Sequence, residues 1–154
     1  MKKIFIVGLV LIVSCIKDYN SSTKSYIDNK TSHNITIAPY YNGYIDSSLF
    51  RIILPFENKL VYEKNPRGKT LSPDYATILQ PYDSVVVTFD GIYKTTHLKF
   101  NSEIMCTDCI VFNSNRSISN NDNYIKTITE ETKHYQIGYF TYTFSEQDYI
   151  DAAK

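Results

Sequence analysis

The chain has 154 residues, enough for one domain with a buried core, and its 16 basic and 16 acidic side chains balance to a formal net charge of zero. This balance excludes the strongly basic surface that nucleic-acid binding requires, so we expect no nucleic-acid partner. Fourteen Tyr, eight Phe and many β-branched residues suit pleated, half-buried surfaces, and the composition therefore predicts an all-β fold.

Residues 1–14 have the order of a secretory signal peptide. Lys2 and Lys3 precede an uncharged apolar run over residues 4–13. A helix that spans a membrane needs about 20 apolar residues, and this run has only about half of that number. We therefore expect the segment to direct export and to be removed, rather than to remain as a membrane span.

The end of this segment resembles a bacterial lipobox. It reads Ile12-Val13-Ser14-Cys15, with two aliphatic residues and one small residue before a cysteine. In lipobox proteins that cysteine carries fatty acyl chains such as palmitate, and two or more chains give stable membrane anchoring. The resemblance implies a lipid anchor at Cys15 and a position in the cell envelope, on the outer membrane. The alternative is an ordinary cleaved signal with a chance cysteine.

Residues 15–25 are expected to form the lipidated cysteine and a polar tether, because Ser, Thr, Asn and Lys dominate there without periodicity. We predict that the ordered domain begins near Tyr26 and that residues 26–154 form a single β-rich unit.

The rest of the chain alternates short apolar segments with turn residues, at intervals typical of a β-sandwich or a small barrel. The predicted strands cover residues 25–28, 34–40, 49–54, 59–62, 74–79, 84–89, 92–100, 110–113, 124–129 and 136–144.

The sequence Asp90-Gly91 predicts a tight hairpin, because this pair tolerates the positive φ angles of a two-residue turn. A two-residue turn sets Thr96, Leu98 and Phe100 on the face that carries Val85, Val87 and Phe89, with His97 and Lys99 opposite. The last strand alternates in the same way. The predicted core is Val85, Val87, Phe89, Leu98, Phe100, Phe140, Tyr142 and Phe144.

The C-terminus changes to a helical pattern. Ser145 followed by Glu146, Gln147 and Asp148 is similar to a capping box, and apolar residues follow at helical spacing. We predict one short terminal helix.

Cys106 and Cys109 are the only cysteines left once Cys15 carries lipid. Disulfides persist in exported proteins, so a structural disulfide is the favoured interpretation. Free thiols, or a redox or metal function, are the alternatives. Redox chemistry would favour a following helix, whereas a strand is predicted, and zinc would need two further ligands.

Three tyrosines surround one predicted turn, at Tyr40, Tyr41 and Tyr44, with Asn42-Gly43 between them. Exposed tyrosines beside Asn and Gly suit the binding of sugars or protein surfaces. Chance clustering is the alternative in a chain with so many tyrosines.

No catalytic motif is present in the sequence. There is no nucleophile elbow, zinc-binding helix or glycine-rich phosphate loop, and we expect no cofactor and no metal. His134 lies near Glu130 and Glu131, where a solvated turn explains the cluster. An enzyme is therefore not the favoured reading.

The layout of the whole chain resembles the small uncharacterised lipoproteins of Bacteroidetes, which combine a lipobox, a polar tether and one β-rich domain. The ending Phe144-Ser145-Glu146-Gln147-Asp148-Tyr149 is part of that resemblance. It implies an Ig-like antiparallel β-sandwich, with a small barrel as the alternative, and implies no known activity. Our first hypothesis is a non-enzymatic module that binds a protein or glycan, and the second is an enzyme or enzyme inhibitor acting on envelope polymers.

Cys15→Ala should abolish incorporation of labelled palmitate, because the substitution removes the thiol that would accept the first acyl chains. Metabolic labelling followed by immunoprecipitation measures this directly. Undiminished labelling of the variant would contradict lipidation at Cys15.

Overall fold

The computed structural model describes residues 19–99 and 106–154, which fold into ten strands and two short α-helices. The elements in chain order are β1 (Asn20–Asn29), β2 (Ile35–Tyr41), β3 (Tyr44–Ile45), β4 (Arg51–Ile53), β5 (Asn58–Lys64), α1 (Asp74–Leu79), β6 (Ser84–Phe89), β7 (Tyr93–Leu98), β8 (Cys109–Ile110), β9 (Ile125–Glu131), β10 (Tyr135–Phe144) and α2 (Glu146–Ala152). A single 3₁₀ turn, Asn121–Asn123, precedes β9.

The strands form two sheets that do not close into a barrel within the described residues. The first sheet has the order β5-β1-β10-β9, and the second has the order β3-β2-β6-β7-β8 with β4 also paired to β2. Most pairs are antiparallel, but β1 with β10 and β7 with β8 are parallel. The predicted all-β sandwich with a short C-terminal helix is confirmed.

β1 begins six residues before the predicted start of order, so the expectation of a tether as far as residue 25 is wrong. Ser21, Thr23 and Ser25 are buried, and their hydroxyls bond to neighbouring segments. The Ser21 hydroxyl donates to the Gly68 carbonyl, and the Ser25 hydroxyl accepts the Tyr75 amide at 3.3 Å. Small hydroxyl side chains can therefore lie inside a sheet once their hydrogen bonds are satisfied.

The hairpin between β6 and β7 forms as predicted, but its register differs by one residue. Asp90 and Gly91 both have positive φ, and the Ile92 amide donates to the Phe89 carbonyl at 3.0 Å. Ile92 is an additional turn residue, because Phe89 pairs with Tyr93 rather than with Ile92.

A shift of one residue exchanges the two faces of a strand. His97 therefore pairs with Val85 on the core side, and the prediction that His97 lies opposite the core is wrong. Leu98 is also buried, on the other face of the sheet. Phe100 lies outside the described residues.

Residues 74–79 form α1, not the predicted strand. Pro73 occupies the N-cap, and the Asp74 carboxylate accepts hydrogen bonds from the Ser72 hydroxyl, at 2.8 Å, and from the Thr23 hydroxyl. Tyr75, Ala76 and Leu79 are buried on one side of the helix. The helix thus covers the polar half of β1 with apolar groups.

The core lies between the sheets. All the predicted core residues that the structure describes are buried, but Leu98 is buried on the other face of the second sheet, so its assignment to this core is wrong. The central cluster also includes residues that the prediction omitted, namely Ile27, Ile35, Ile37, Ile53, Val61, Tyr75, Ala76, Leu79, Ile118 and Tyr124.

α2 closes the chain as the capping pattern predicts. The Ser145 amide donates to Asp148 Oδ2 at 2.7 Å, and the hydroxyl of Ser145 contacts the same oxygen at 2.9 Å. The helix is fixed to the second sheet by Tyr149, whose ring stacks on His33 with centroids 3.6 Å apart and meets Phe89 edge-on.

Phe140→Ala should lower the free energy of unfolding by about 3 to 5 kcal/mol, because the ring is only 4% exposed and its removal leaves a cavity. Urea denaturation measures the change. Ile92→Ala is the matched control, since that side chain is 70% exposed and its loss should change stability by less than about 0.5 kcal/mol. A loss below about 1 kcal/mol at Phe140 would contradict the packing described.

Candidate functional site

The predicted tyrosine cluster lies on the hairpin between β2 and β3, which we call the tyrosine hairpin (residues 40–45). Asn42 and Gly43 form its two-residue turn, both with positive φ, and Tyr41 pairs directly with Tyr44. The Tyr44 side chain is 80% exposed and that of Tyr41 is 56% exposed, whereas Tyr40 is half-buried. Two of the three predicted tyrosines are therefore presented to solvent side by side.

The segment before β6 holds this turn in place. The Asp83 carboxylate accepts the Asn42 amide at 2.7 Å, and the Asp83 amide donates to the Tyr40 carbonyl at 2.8 Å. Lys99 Nζ lies 3.1 Å from the other carboxylate oxygen. The bond from the Asn42 amide, followed by that from Lys99, lowers the pKa of Asp83, so the carboxylate stays ionised at neutral pH.

A second brace joins the far side of the hairpin. The Tyr82 hydroxyl donates to Asp46, whose other oxygen accepts the Ser48 hydroxyl at 2.6 Å. The hydrogen bond to Asp46 raises the pKa of Tyr82 to about 12. The Tyr82 ring meets Tyr41 edge-on, with centroids 6.3 Å apart. Hydrogen bonds on both sides hold the hairpin, and the contact with Tyr82 orients the ring of Tyr41.

A cavity of about 320 Å³ lies between the second sheet and α2. Val87, Phe89, Ile110 and Phe144 supply its apolar lining. The charged and polar lining comes from β7, from residues 108–116 and from the C-terminal residues 148–154, and it includes His97, Asp108, Arg116, Asp148, Asp151 and Lys154. A volume of this size matches the lower end of pockets that bind small molecules.

His97 is a neutral imidazole in the wall of this cavity. Its Nδ1 accepts the Ile118 amide at 3.2 Å, so the ring carries its proton on Nε2. Burial first, and the Arg116 charge second, lower the pKa of His97 to about 3. The ring therefore remains uncharged at neutral pH.

Each cation of the cavity has its own carboxylate. Arg116 forms an ion pair with Asp148, and Lys154 Nζ lies 2.7 Å from Asp151 Oδ1. The Asp108 carboxylate accepts a hydrogen bond from the Thr107 hydroxyl at 3.5 Å. Among the described residues, Asp108 forms no ion pair.

Cys106 and Cys109 are joined by a disulfide, with Cα atoms 5.4 Å apart. Cys109 begins β8 and pairs with Thr96 of β7. The bridge closes the turn that presents Asp108 to the cavity.

The other predicted cluster does not form a pocket. Glu130 and Glu131 are exposed on β9, and His134 is half-buried beyond the end of that strand, outside the lining of the cavity. In residues 19–99 and 106–154, no three His, Cys, Asp or Glu side chains are grouped to hold a metal ion. Neither helix of the described segments is long and apolar enough to cross a membrane.

Comparison with known proteins gives no match: no family model, no curated protein and no solved structure is similar to the chain.

The sequence did not predict the cavity, because its polar residues are spread from position 97 to position 154. The only sequence signal for the cavity was His97. The face of β7 on which His97 lies depends on the length of the turn between β6 and β7. The capping pattern located Asp148 in a helix but gave no indication of the contact with Arg116.

Acidification should destabilise the protein through His97. The folded-state pKa of about 3 lies below the ordinary value of 6.5, so the unfolded chain takes up a proton first as pH falls. Stability is therefore lost between pH 6.5 and 3. At pH 4.5 the contribution of His97 amounts to a loss of about 3 kcal/mol relative to pH 7.

Urea denaturation at pH 7 and pH 4.5 tests this, with His97→Asn as the variant, because asparagine offers an acceptor for the Ile118 amide and does not titrate. The variant should lose about 3 kcal/mol less than the wild type between the two pH values. His134→Asn is the control for the loss of one imidazole outside the cavity lining. Equal pH dependence of wild type and His97→Asn would rule out a neutral, buried His97.

Proposed function

We propose that the protein is a lipid-anchored, non-enzymatic interaction module of the cell envelope that binds a protein or glycan through Tyr41 and Tyr44. The observation that carries the proposal is the tyrosine hairpin: two adjacent, strongly exposed aromatic rings on a turn that is braced on both sides.

A braced aromatic surface favours binding for two physical reasons. Tyrosine offers a large apolar ring and a hydroxyl on one side chain with few rotatable bonds, so it makes extensive contact at small entropic cost. The hydrogen bonds from the Asn42 amide to Asp83 and from the Tyr82 hydroxyl to Asp46 order the turn before a ligand arrives. Such preorganisation reduces the free energy lost on binding.

The lipid anchor at Cys15, which lies outside the described residues, would hold the module at the outer membrane. Five residue steps separate Cys15 from the start of β1 at Asn20, and an extended chain of that length reaches at most about 18 Å. A short connection of this kind keeps the domain close to the lipid surface. Its ligand would therefore be another component of the envelope.

Affinity capture from native membranes tests the proposal, with the lipidated wild type compared with Tyr41→Ala/Tyr44→Ala. The wild type should retain an envelope protein or a polysaccharide, and the double variant should lose it. Protease treatment or glycosidase treatment of the membranes before capture distinguishes the two classes of ligand.

Ile92→Ala/Ile125→Ala is the matched control, because it removes two other apolar side chains of similar exposure, 70% and 69%. This variant should capture the same ligand as the wild type. Retention of the ligand by the tyrosine double variant would contradict a role for the hairpin.

A further inference from the structure

We propose that the cavity between the second sheet and α2 binds a small organic cation, an ammonium group carried on an apolar body. This site is separate from the tyrosine hairpin, and the inference does not depend on the function proposed for that hairpin.

The apolar part of the cavity suits a hydrocarbon or aromatic body. Phe89 and Phe144 lie at its base with their rings edge to face, 6.1 Å between centroids, and Val87 lies beside them. Removal of apolar ligand surface from water at such a base is favourable, and aromatic rings also attract a nearby cation. A hydrated metal ion gains nothing from these side chains.

The charges of the cavity favour a cation over an anion. Among the described residues that line the cavity, Asp108, Asp148 and Asp151 accompany two cations, Arg116 and Lys154. Each cation is already paired with a carboxylate, which leaves Asp108 as the charge without an ion-pair partner in the described residues. An incoming ammonium can pair with Asp108 without breaking an existing contact.

The guanidinium of Arg116 already has a carboxylate beside it, because it forms an ion pair with Asp148. Asp148 is held in place by the amide and the hydroxyl of Ser145, at 2.7 and 2.9 Å, because it also caps α2. Displacement of Asp148 would therefore disrupt the start of the helix.

The neutral state of His97 also favours a cation over an anion as the ligand. Its Nδ1 is occupied by the Ile118 amide at 3.2 Å, and the uncharged ring adds no positive charge that would oppose a bound cation.

The test uses three probes that share a phenyl ring and differ in charge: benzylammonium, benzyl alcohol and benzoate. Each probe is titrated into the ¹⁵N-labelled full mature chain, and the amide resonances are followed by NMR. Benzylammonium should shift the amide resonances of Thr95, His97 and Ile110 in the millimolar range, and benzoate should leave them unchanged. Benzyl alcohol should bind more weakly than benzylammonium.

Asp108→Asn should weaken benzylammonium binding by about fivefold, the range of an exposed ion pair, and should leave benzyl alcohol binding unchanged. Asp122→Asn is the matched control, because Asp122 is an exposed aspartate outside the cavity lining. An unchanged amide spectrum of Asp108→Asn outside the cavity verifies that the variant is folded.

The proposal would be overturned by benzoate binding as tightly as benzylammonium, by benzylammonium shifts confined to residues outside the cavity, or by equal affinity in wild type and Asp108→Asn. Absence of any benzylammonium shift at its solubility limit would also overturn it.

Discussion

The parallel pairing of β1 with β10 is the constraint on which the rest of the structure depends. It places the first strand between β5 and β10, in the interior of the first sheet, with every residue of β1 in register with β10. Because β1 is rich in Ser and Thr, this position requires hydrogen-bond partners for buried hydroxyls. Gly68, Asp74 and the amide of Tyr75 provide them, and α1 covers the same region with apolar side chains.

The same pairing determines where α2 lies. β10 ends at Phe144 beside Asn29, the end of β1, and the capping box starts α2 immediately afterwards. The Glu146 carboxylate accepts the Ser32 amide at 2.7 Å, and His33 lies on the ring of Tyr149. These contacts attach the helix to the segment between β1 and β2. The cavity wall formed by Asp148 and Asp151 is therefore part of the folded domain rather than a loose C-terminus.

The tyrosine hairpin and the cavity depend on different features of the sequence. The tyrosine hairpin depends on a local turn, Asn42-Gly43, and on one aspartate from the segment before β6. The cavity depends on long-range register, because His97 reaches its wall only through the additional residue, Ile92, in the hairpin between β6 and β7. A hairpin one residue shorter would exchange His97 for Thr96 and remove the imidazole from the core.

These differences explain how much of the structure the sequence could predict. Alternation of Val85, Val87 and Phe89, the Asp90-Gly91 turn and the capping pattern at Ser145 are local signals, and they identified the corresponding elements correctly. The exact number of turn residues at Ile92 is not fixed by the dipeptide Asp-Gly, so the face of β7 was assigned wrongly.

The prediction of a strand over residues 74–79 was wrong for a related reason. Its aromatic and β-branched residues favour a strand, whereas Pro73 and Asp74 at its start, together with burial against β1, favour a helix. Polar residues 20–25 gave no strand signal, because their burial depends on partners from distant segments. The cavity could not be predicted for the same reason.

Native-state hydrogen exchange of the amides of β1 tests the central constraint most directly. Residues 23–27 are paired on both sides, with β5 and with β10. Their amides should therefore exchange as slowly as those of Val85 and Val87 in the other sheet. Exchange of residues 23–25 at the rate of an unstructured peptide would show that this segment is a tether, and would contradict the architecture described.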